Sequence, residues 1–333
     1  MSHEAYYSTC AIDVSRESFH ITSLQACGRR IILGCSDGLI RVFEDRAQPN
    51  DKADYKPTFS SESFTRKSVD QLEVFPLEGI MLSLSDQILR LHSFPSLEVR
   101  QEFDTKSRGC LSFVTNHTTS KKGPTSSFML CLSLKRRIHV YEWSDSQFAF
   151  GFRKEINLPE TPRKMGWASG MSIACSFYRE YKILDCKTEK LTTIFPFGKR
   201  HAVICRMEST NEVLLTKNNH GICVDQYGKP TRTEPIEWSE PPNFVLYCRP
   251  YVIAATSKAV DVRFVSNRLP VQVINFNKAT MVATTFLGEK MVVAANAEQV
   301  LQMTPVSPND QLEELVAKCN FETALLLIEE DLN

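Results

Sequence analysis

The sequence predicts a mainly β chain: a seven-bladed β-propeller closed by its N-terminal strand and followed by one helical hairpin. Three observations carry that reading. A tight apolar hairpin recurs seven times, its spacing suits a four-stranded blade, and the strand pattern yields to a helical period only at Ser307. The first copy is ILGCSDGLIRVFE, residues 32–44, in which two apolar runs are joined by Asp37-Gly38. A lone hairpin of this kind is marginally stable in water and needs partners. The later copies are GIMLSLSDQILRLH, FMLCLSLKRRIHVYEW, MSIACSFYREYKIL, EVLLTKNNHGICVDQYG, YVIAATSKAVDVRFV and MVVAANAEQVLQM. With turns at Asp37, Asp86, Lys135, Tyr178, Asn218, Lys258 and Ala297, successive copies lie 49, 49, 43, 40, 40 and 39 residues apart. Propeller blades repeat every ~40–50 residues.

Each remaining element follows in chain order. YYSTCAIDV, residues 6–14, reads as a strand that has no hairpin of its own, while the last repeat has only three strands before the composition changes at Pro305. The N-terminal strand is therefore expected to complete the last blade, which joins first and last repeats and leaves only short protected edges. FHITSLQAC (19–27), VDQLEVF (69–75), GCLSFV (109–114) and ATMVATTF (279–286) each precede a hairpin and are expected to be inner strands. The paired strands are apolar almost throughout, as sheets covered on both faces require. Gly34, Ser83, Cys131, Ala174, Ala254 and Ala294 place small residues inside them, as expected where twisted sheets converge on a narrow channel. A β-sandwich with further domains is the competing architecture; a parallel β-helix is excluded by the length of the repeat.

From Ser307 the period becomes helical. Ser307-Pro308-Asn309-Asp310 offers a capping serine, a proline at the first helical position and an acid in the first turn. Leu312, Leu315 and Val316 mark one apolar face, and Phe321, Ala324, Leu325 and Ile328 mark another after the Cys319-Asn320 break. One helical pair cannot cover its own apolar faces. Either a longer chain continues as an α-solenoid, or the pair folds against the propeller. The expected domains are a propeller over 1–306 and the start of a solenoid over 307–333.

Composition narrows the function. Among 333 residues, 39 basic and 39 acidic side chains cancel, so bulk charge implies neither nucleic acid nor an anionic membrane, and any binding patch is local. The start lacks a basic region followed by an apolar core, and no uncharged apolar run approaches the ~20 residues of a membrane-spanning helix. A cytoplasmic protein is expected. Eleven cysteines, an odd number scattered singly through apolar strands, read as buried reduced thiols rather than a disulfide framework. In that compartment the sequon Asn116-His117-Thr118 stays unglycosylated.

No P-loop, HExxH, CxxC or GxSxG occurs, and His3, His20, His92, His117, His139, His201 and His220 share no metal-ligand spacing. No catalytic residue, cofactor or metal ligand is therefore assigned, and a non-enzymatic platform is expected. Propeller enzymes that assemble a site from distant loops remain the alternative, with Glu and His side chains in the channel as their mark. A WD-repeat scaffold is disfavoured because no Trp-Asp dipeptide occurs. The turns at Asp37, Asp86, Lys135 to Arg137, Asn218 and Lys258 are expected on one face. Lys121 and Lys122, read as a between-blade loop of that face, join Lys135, Arg136 and Arg137 in a basic cluster suited to an acidic partner. A solvated turn is the plainer alternative. Lys199-Arg200-His201 forms a second cluster, while Trp143, Trp167 and Trp238 read as packing residues.

The chain resembles the citron-homology propeller of the vacuolar protein sorting-associated protein 39 family. The resemblance runs through 32–44 (ILGCSDGLIRVFE), 158–167 (LPETPRKMGW), 179–185 (REYKILD), 194–198 (IFPFG) and 235–255 (PIEWSEPPNFVLYCRPYVIAA). It extends into 312–327 (LEELVAKCNFETALLL), which looks like the first solenoid hairpin of that family, whereas 46–67 and 117–127 depart from its pattern. The resemblance implies a non-enzymatic subunit of the HOPS membrane tether. Its propeller would bind a GTP-loaded Rab GTPase of the late endosome or vacuole, and its solenoid would meet other tether subunits. Such a protein sits peripherally on late endosomal and lysosomal membranes, held by its partners. The related subunit of the early-endosomal CORVET tether shares the layout and is the alternative.

Overall fold

The computed structural model describes residues 3–48, 53–61, 67–103, 109–118, 127–198, 201–208, 210–285 and 291–332. Each of the seven hairpins forms the middle pair of a four-stranded sheet, and the fold is a seven-bladed β-propeller with two C-terminal helices. After β1 (Tyr6–Asp13), blade 1 comprises β2 (Ile21–Cys27), β3 (Arg30–Cys35), β4 (Ile40–Asp45) and β5 (Tyr55–Ser60). Blade 2 comprises β6 (Val69–Phe75), β7 (Ile80–Ser85), β8 (Ile88–Ser93) and β9 (Val99–Glu102). Blade 3 has the long strands β10 (Cys110–Thr118), β11 (Ser127–Leu134), β12 (Arg137–Ser144) and β13 (Ala149–Asn157). Blade 4 comprises β14 (Lys164–Trp167), β15 (Ser172–Ser176), β16 (Glu180–Asp185) and β17 (Leu191–Pro196). Blade 5 comprises β18 (Ile204–Met207), β19 (Glu212–Lys217), β20 (His220–Val224) and β21 (Ile236–Glu237). Blade 6 comprises β22 (Phe244–Cys248), β23 (Tyr251–Ala255), β24 (Ala259–Phe264) and β25 (Pro270–Asn275). Blade 7 takes β26 (Met281–Thr284), β27 (Val292–Ala295) and β28 (Gln299–Pro305) and receives β1 as its outer strand. Phe286, placed in an inner strand by the sequence, lies outside the described residues.

The tight turns are set by backbone conformation. Gly38 stands at φ 84°, Asp86 and Gln87 at 53° and 59°, Lys135 at 48° and Asn218 at 55°. Left-handed residues let a two-residue turn match the twist of its strands, and glycine, asparagine and aspartate enter that region most cheaply.

The chain divides into two compact units, residues 1–81 with 236–333, and residues 82–235. In the first, β1 runs antiparallel to β28 from Tyr6↔Pro305 to Asp13↔Gln299, with one bulge between Cys10 and Ile12. The N-terminal strand thus completes the last blade, as the sequence predicts. Gln272 on β25 secures its start: the amide oxygen accepts from the N–H groups of Ala5 (3.1 Å) and Tyr6 (2.9 Å), and its Nε2 donates to Tyr6 O (2.9 Å). Between blades 1 and 2, the Thr22 and Ser23 hydroxyls donate to Val69 O at 2.8 and 2.7 Å. A Cβ at Gly34 would lie 2.8 Å from the Val69 side chain, so the small residue answers to the next blade's inner strand, packed directly against it.

Helices α1 (Pro308–Ala317) and α2 (Phe321–Leu332) begin as predicted, with the Ser307 hydroxyl accepting from Asp310 N and Pro308 in the first turn. Their faces are divided. Leu315, Ala324 and Leu327 are buried in one apolar cluster with Ala5, Tyr6, Tyr251 and Phe264, and Leu312 packs at its edge. Gln311 is buried beside them, bonded to His3 Nε2 (3.1 Å), the Tyr251 hydroxyl (2.7 Å) and Val306 O (2.8 Å). Val316, Phe321, Leu325 and Ile328 stay exposed. Of the two arrangements open to the pair, Leu312 and Leu315 follow the second and fold against the propeller, because the blade 6 and 7 surface covers them.

In the second unit, Gln101 on β9 repeats the glutamine clasp, its Nε2 donating to Phe150 O (3.3 Å) while its oxygen accepts from Phe150 N (3.2 Å). Tyr181 is fully buried, and its hydroxyl bonds Thr216 O (2.9 Å), Val203 O (3.2 Å) and Val203 N (3.1 Å), tying blade 4 to blade 5. His92 is also fully buried, with Nε2 2.7 Å from the Ser83 hydroxyl and Nδ1 3.1 Å from Leu97 O. Burial, against the pull of the Leu97 carbonyl and with the help of the Arg90 charge, lowers its pKa to about 4. The cysteine reading needs one correction: none of the eleven forms a disulfide, but Cys10, on the outer strand, and Cys319, in the interhelical break, are exposed.

Three outcomes follow from these contacts. Deleting residues 1–15 removes β1 and bares the β28 edge, so the thermal transition should broaden and fall steeply; an unchanged melting curve would contradict closure. Leu315→Ala should cost about 2–5 kcal/mol in denaturant unfolding, whereas Leu325→Ser, on the exposed face, should stay within about 0.5 kcal/mol of wild type. Because His92 is neutral when folded and free to protonate when unfolded, stability is lost as pH falls from the unfolded value of 6.5 toward about 4. That loss should reach about 2 kcal/mol between about pH 7 and about pH 5, and the slope should flatten in His92→Gln when urea midpoints are compared.

Candidate protein-binding surface

The basic turn of blade 3 is partly neutralised from within. Lys135 and Arg136 cap the β11–β12 hairpin and are exposed, but Arg137 enters β12 and its Nη1 lies 3.1 Å from Glu155 Oε2 on β13. The same carboxylate takes the buried His139 at 2.8 Å. The His139 hydrogen bond first, then the Arg137 charge, hold Glu155 below the usual carboxylate range. Among the described residues Lys135 and Arg136 meet no carboxylate, so two of the five predicted cations are free to face a partner. Lys121 and Lys122 lie outside the described residues, as do Lys199 and Arg200 of the second cluster, while His201 is exposed. The pair Thr118↔Ser127 closes β10 and β11 at the end opposite Leu134↔Arg137. The segment carrying Lys121 and Lys122 therefore joins two strands of blade 3 and is not a between-blade loop.

The turn charges at Asp37 and Lys258 are spent. In the first unit Asp37 holds Arg41 through two bonds of 3.0 and 2.7 Å, with the guanidinium 3.7 Å over the Phe19 ring, and Lys258 pairs with Glu240. Blades 3 to 5 of the second unit differ. Leu158 N donates to Arg136 O (2.8 Å) at the end of β13, the Ser133 hydroxyl reaches Pro162 O (3.5 Å), and Arg163 N donates to Ser176 O (2.8 Å). The connection LPETPR is thus pinned between the turns of blades 3 and 4. The pattern continues: Phe197 N donates to Arg179 O (3.2 Å), and Asn218 N donates to Phe197 O (3.3 Å). At Gly198, φ is 88° and a Cβ would lie 2.4 Å from Asn218 Oδ1, so only glycine lets the two turns approach this closely.

These bonds align Lys135, Arg136, Arg163, Arg179 and Lys217 along one ledge, all exposed and none paired with a carboxylate among the described residues. Tyr178 stands at the tip of the blade 4 turn, 60% exposed, with Arg163 Cζ 5.0 Å and Arg179 Cζ 5.1 Å from its ring centroid. The ledge has the features of a protein contact: cations without partners that can set the encounter, and an aromatic side chain held in place. Sequence reading named Tyr178 only as a turn centre and did not assign Arg163, Arg179 or Lys217. The motif FYRE shows the local pair, but Arg163 reaches the ring only through the tertiary bonds of the connection.

The tryptophans are packing residues. Trp167 and Trp238 are buried, and Trp143 packs against Phe128, Phe148 and Phe150. Among the described residues no group of three or more His, Cys, Asp or Glu could hold a metal, and no helix is long and apolar enough to cross a membrane.

Residues 27–285 match the CNH domain family, a span running from the end of β2 to the end of the last inner strand. The chain belongs to the CNH-domain family. This CNH chain is 28% identical to vacuolar sorting protein 39 of Arabidopsis thaliana over 313 residues, 92% of the chain and 30% of that protein. It is 23% identical to the human Vam6/Vps39-like protein over 273 residues, 81% of the chain and 30% of the relative. Mouse transforming growth factor-beta receptor-associated protein 1 is 24% identical over 318 residues, covering 94% of the chain and 36% of the relative. The chain thus spans about a third of the length of these relatives. Among solved structures, the AfRom2 CNH domain superposes with a TM-score of 0.61 at 13% identity, covering 90% of the chain and all of that domain, a likeness of fold.

Proposed function

We propose that this CNH propeller is the Rab-binding part of a non-enzymatic subunit of a membrane tether of the HOPS type, acting in late endosome to lysosome or vacuole traffic. The observation that carries the reading is the similarity to vacuolar sorting protein 39 along 92% of the chain, joined to a ledge of unpaired cations on blades 3 to 5. The ledge lacks a nucleotide-binding loop, so the partner carries the nucleotide and recognition is protein to protein. Lys135 and Arg136 are the members of the predicted basic cluster that belong to the ledge, since Arg137 is paired with Glu155 and the segment carrying Lys121 and Lys122 joins β10 to β11 at the opposite end of blade 3. Residues 307–333 open an α-solenoid whose next helices stack on Val316, Phe321, Leu325 and Ile328, exposed apolar side chains that a further repeat would cover. Through that solenoid the protein meets other tether subunits, and through them it is peripheral on the membrane. The similarity to transforming growth factor-beta receptor-associated protein 1 over 94% of the chain supports a second reading, the equivalent subunit of the CORVET tether on early endosomes.

A panel of Rab GTPases loaded with a GTP analogue or GDP separates these readings. Binding should favour the GTP state, weaken as salt screens the ledge, and leave hydrolysis unaccelerated. Arg136→Glu should lower affinity at least about tenfold, about 1.4 kcal/mol, with an unchanged melting curve. Preference for early-endosomal Rabs would select CORVET, and equal affinity in wild type and variant would remove Arg136 from the contact.

A further inference from the structure

We propose that Tyr178, clasped by Arg163 and Arg179, is the anchor of the ledge: it enters an apolar pocket on the partner whose rim is lined by carboxylates. The inference rests on reading the ledge as the GTPase-binding face and adds the residue that carries the affinity and the chemistry of the surface that receives it.

Four observations converge on this residue. Tyr178 is 60% exposed, and among the described residues no other large hydrophobic side chain is exposed at the β11–β12, β15–β16 and β19–β20 turns, Phe148 and Tyr227 standing at other turns of blades 3 and 5, so the apolar content of the ledge resides in one ring. Two guanidiniums lie 5.0 and 5.1 Å from its centroid, close enough for cation–π attraction on a solvated ring. A ring held this way loses little rotamer freedom on binding, which removes a cost that an unrestrained side chain would carry. The backbone beneath it is fixed as well, by the Phe177 N to Glu180 O bond (2.9 Å) within the turn and by the Phe197 N to Arg179 O bond from the next connection.

Charge names the partner's rim. Arg163, Arg179, Lys135, Arg136 and Lys217 are exposed without a carboxylate among the described residues, whereas Glu180 is already held by Lys182 at 2.9 Å. A neutral or basic partner would bury these cations uncompensated, and an acidic rim pairs with them. Tyrosine and arginine are also the residue types that dominate binding hot spots, at the centre of a contact from which water is excluded. An anionic bilayer is the other surface that cations with an interfacial tyrosine can meet. A lone ring at a turn, stiffened by its own arginines, fits a pocket of fixed shape better than a fluid surface.

The test uses the full-length protein and the same Rab panel in both nucleotide states, with phosphatidylcholine vesicles containing phosphatidylserine as a second probe. Tyr178→Ala should weaken GTP-state binding by at least about tenfold with no change in melting temperature, Tyr178→Phe should retain it, and Arg163→Leu with Arg179→Leu should weaken it and flatten its salt dependence. Unchanged affinity of Tyr178→Ala for a Rab that binds wild type would overturn the anchor and leave the Rab reading standing. Binding to no member of the panel in either state would overturn the Rab reading and the anchor with it. Vesicle binding lost in Tyr178→Ala, with GTPase affinity unaffected, would overturn the protein pocket in favour of an anionic membrane.

Discussion

The antiparallel pairing of β1 with β28 is the constraint on which the arrangement depends. Every other blade is built from strands consecutive in the chain, so its assembly is local. Blade 7 cannot be, because its fourth strand comes from residues 6–13 and its first three from residues 281–305. Fixing that pairing converts an open series of sheets with two bare edges into a closed one. The cost is the loop-closure entropy of nearly the whole chain, which grows only slowly with length. The long register from Tyr6↔Pro305 to Asp13↔Gln299 and the three Gln272 bonds offset it at one place.

Closure also decides where the C-terminal helices go. The chain leaves β28 at Pro305 beside residues 3–6, and Val306 N donates to Ala5 O at 2.9 Å. His3, Gln311 and Tyr251 then form a buried polar seam joined through the Gln311 side chain, and Leu315, Ala324 and Leu327 complete the apolar cluster beneath it. A helical pair docked on one face keeps its other face apolar and exposed, which is the geometry a stacked helical array requires. The joint between propeller and helices is therefore a packed interface and not a linker.

The same economy of buried polar groups recurs where blades meet. Tyr181, Gln101 and Gln272 each place an uncharged donor and acceptor against main-chain groups at blade margins, because these can be fully satisfied by hydrogen bonds at low desolvation cost. The turn residues Asp37 and Lys258 of the first unit are neutralised by Arg41 and Glu240, whereas the ledge on blades 3 to 5 carries its cations without carboxylates among the described residues. Unpaired like charges along a rigid edge do little for folding.

Legibility in the sequence followed the range of the interaction. The seven hairpins, their turns, the inner strands, the closing strand and the helix cap at Ser307 were readable because each rests on local alternation, on a left-handed turn residue or on a repeat length, all of which are written in consecutive residues. The basic turn at Lys135 and Arg136 was readable for the same reason. Tertiary structure decided the rest: that Arg137 is drawn to Glu155, that Leu315 faces the propeller while Leu325 does not, and that Gly34 is small because Val69 of the next blade sits against it. It also decided that Arg163 and Arg179 close on Tyr178. The 14 residues between Arg163 and Tyr178 hold no periodicity that announces the contact; it exists because the connection between blades is bonded to the carbonyls of two neighbouring turns, and such bonds form only once the blades have packed.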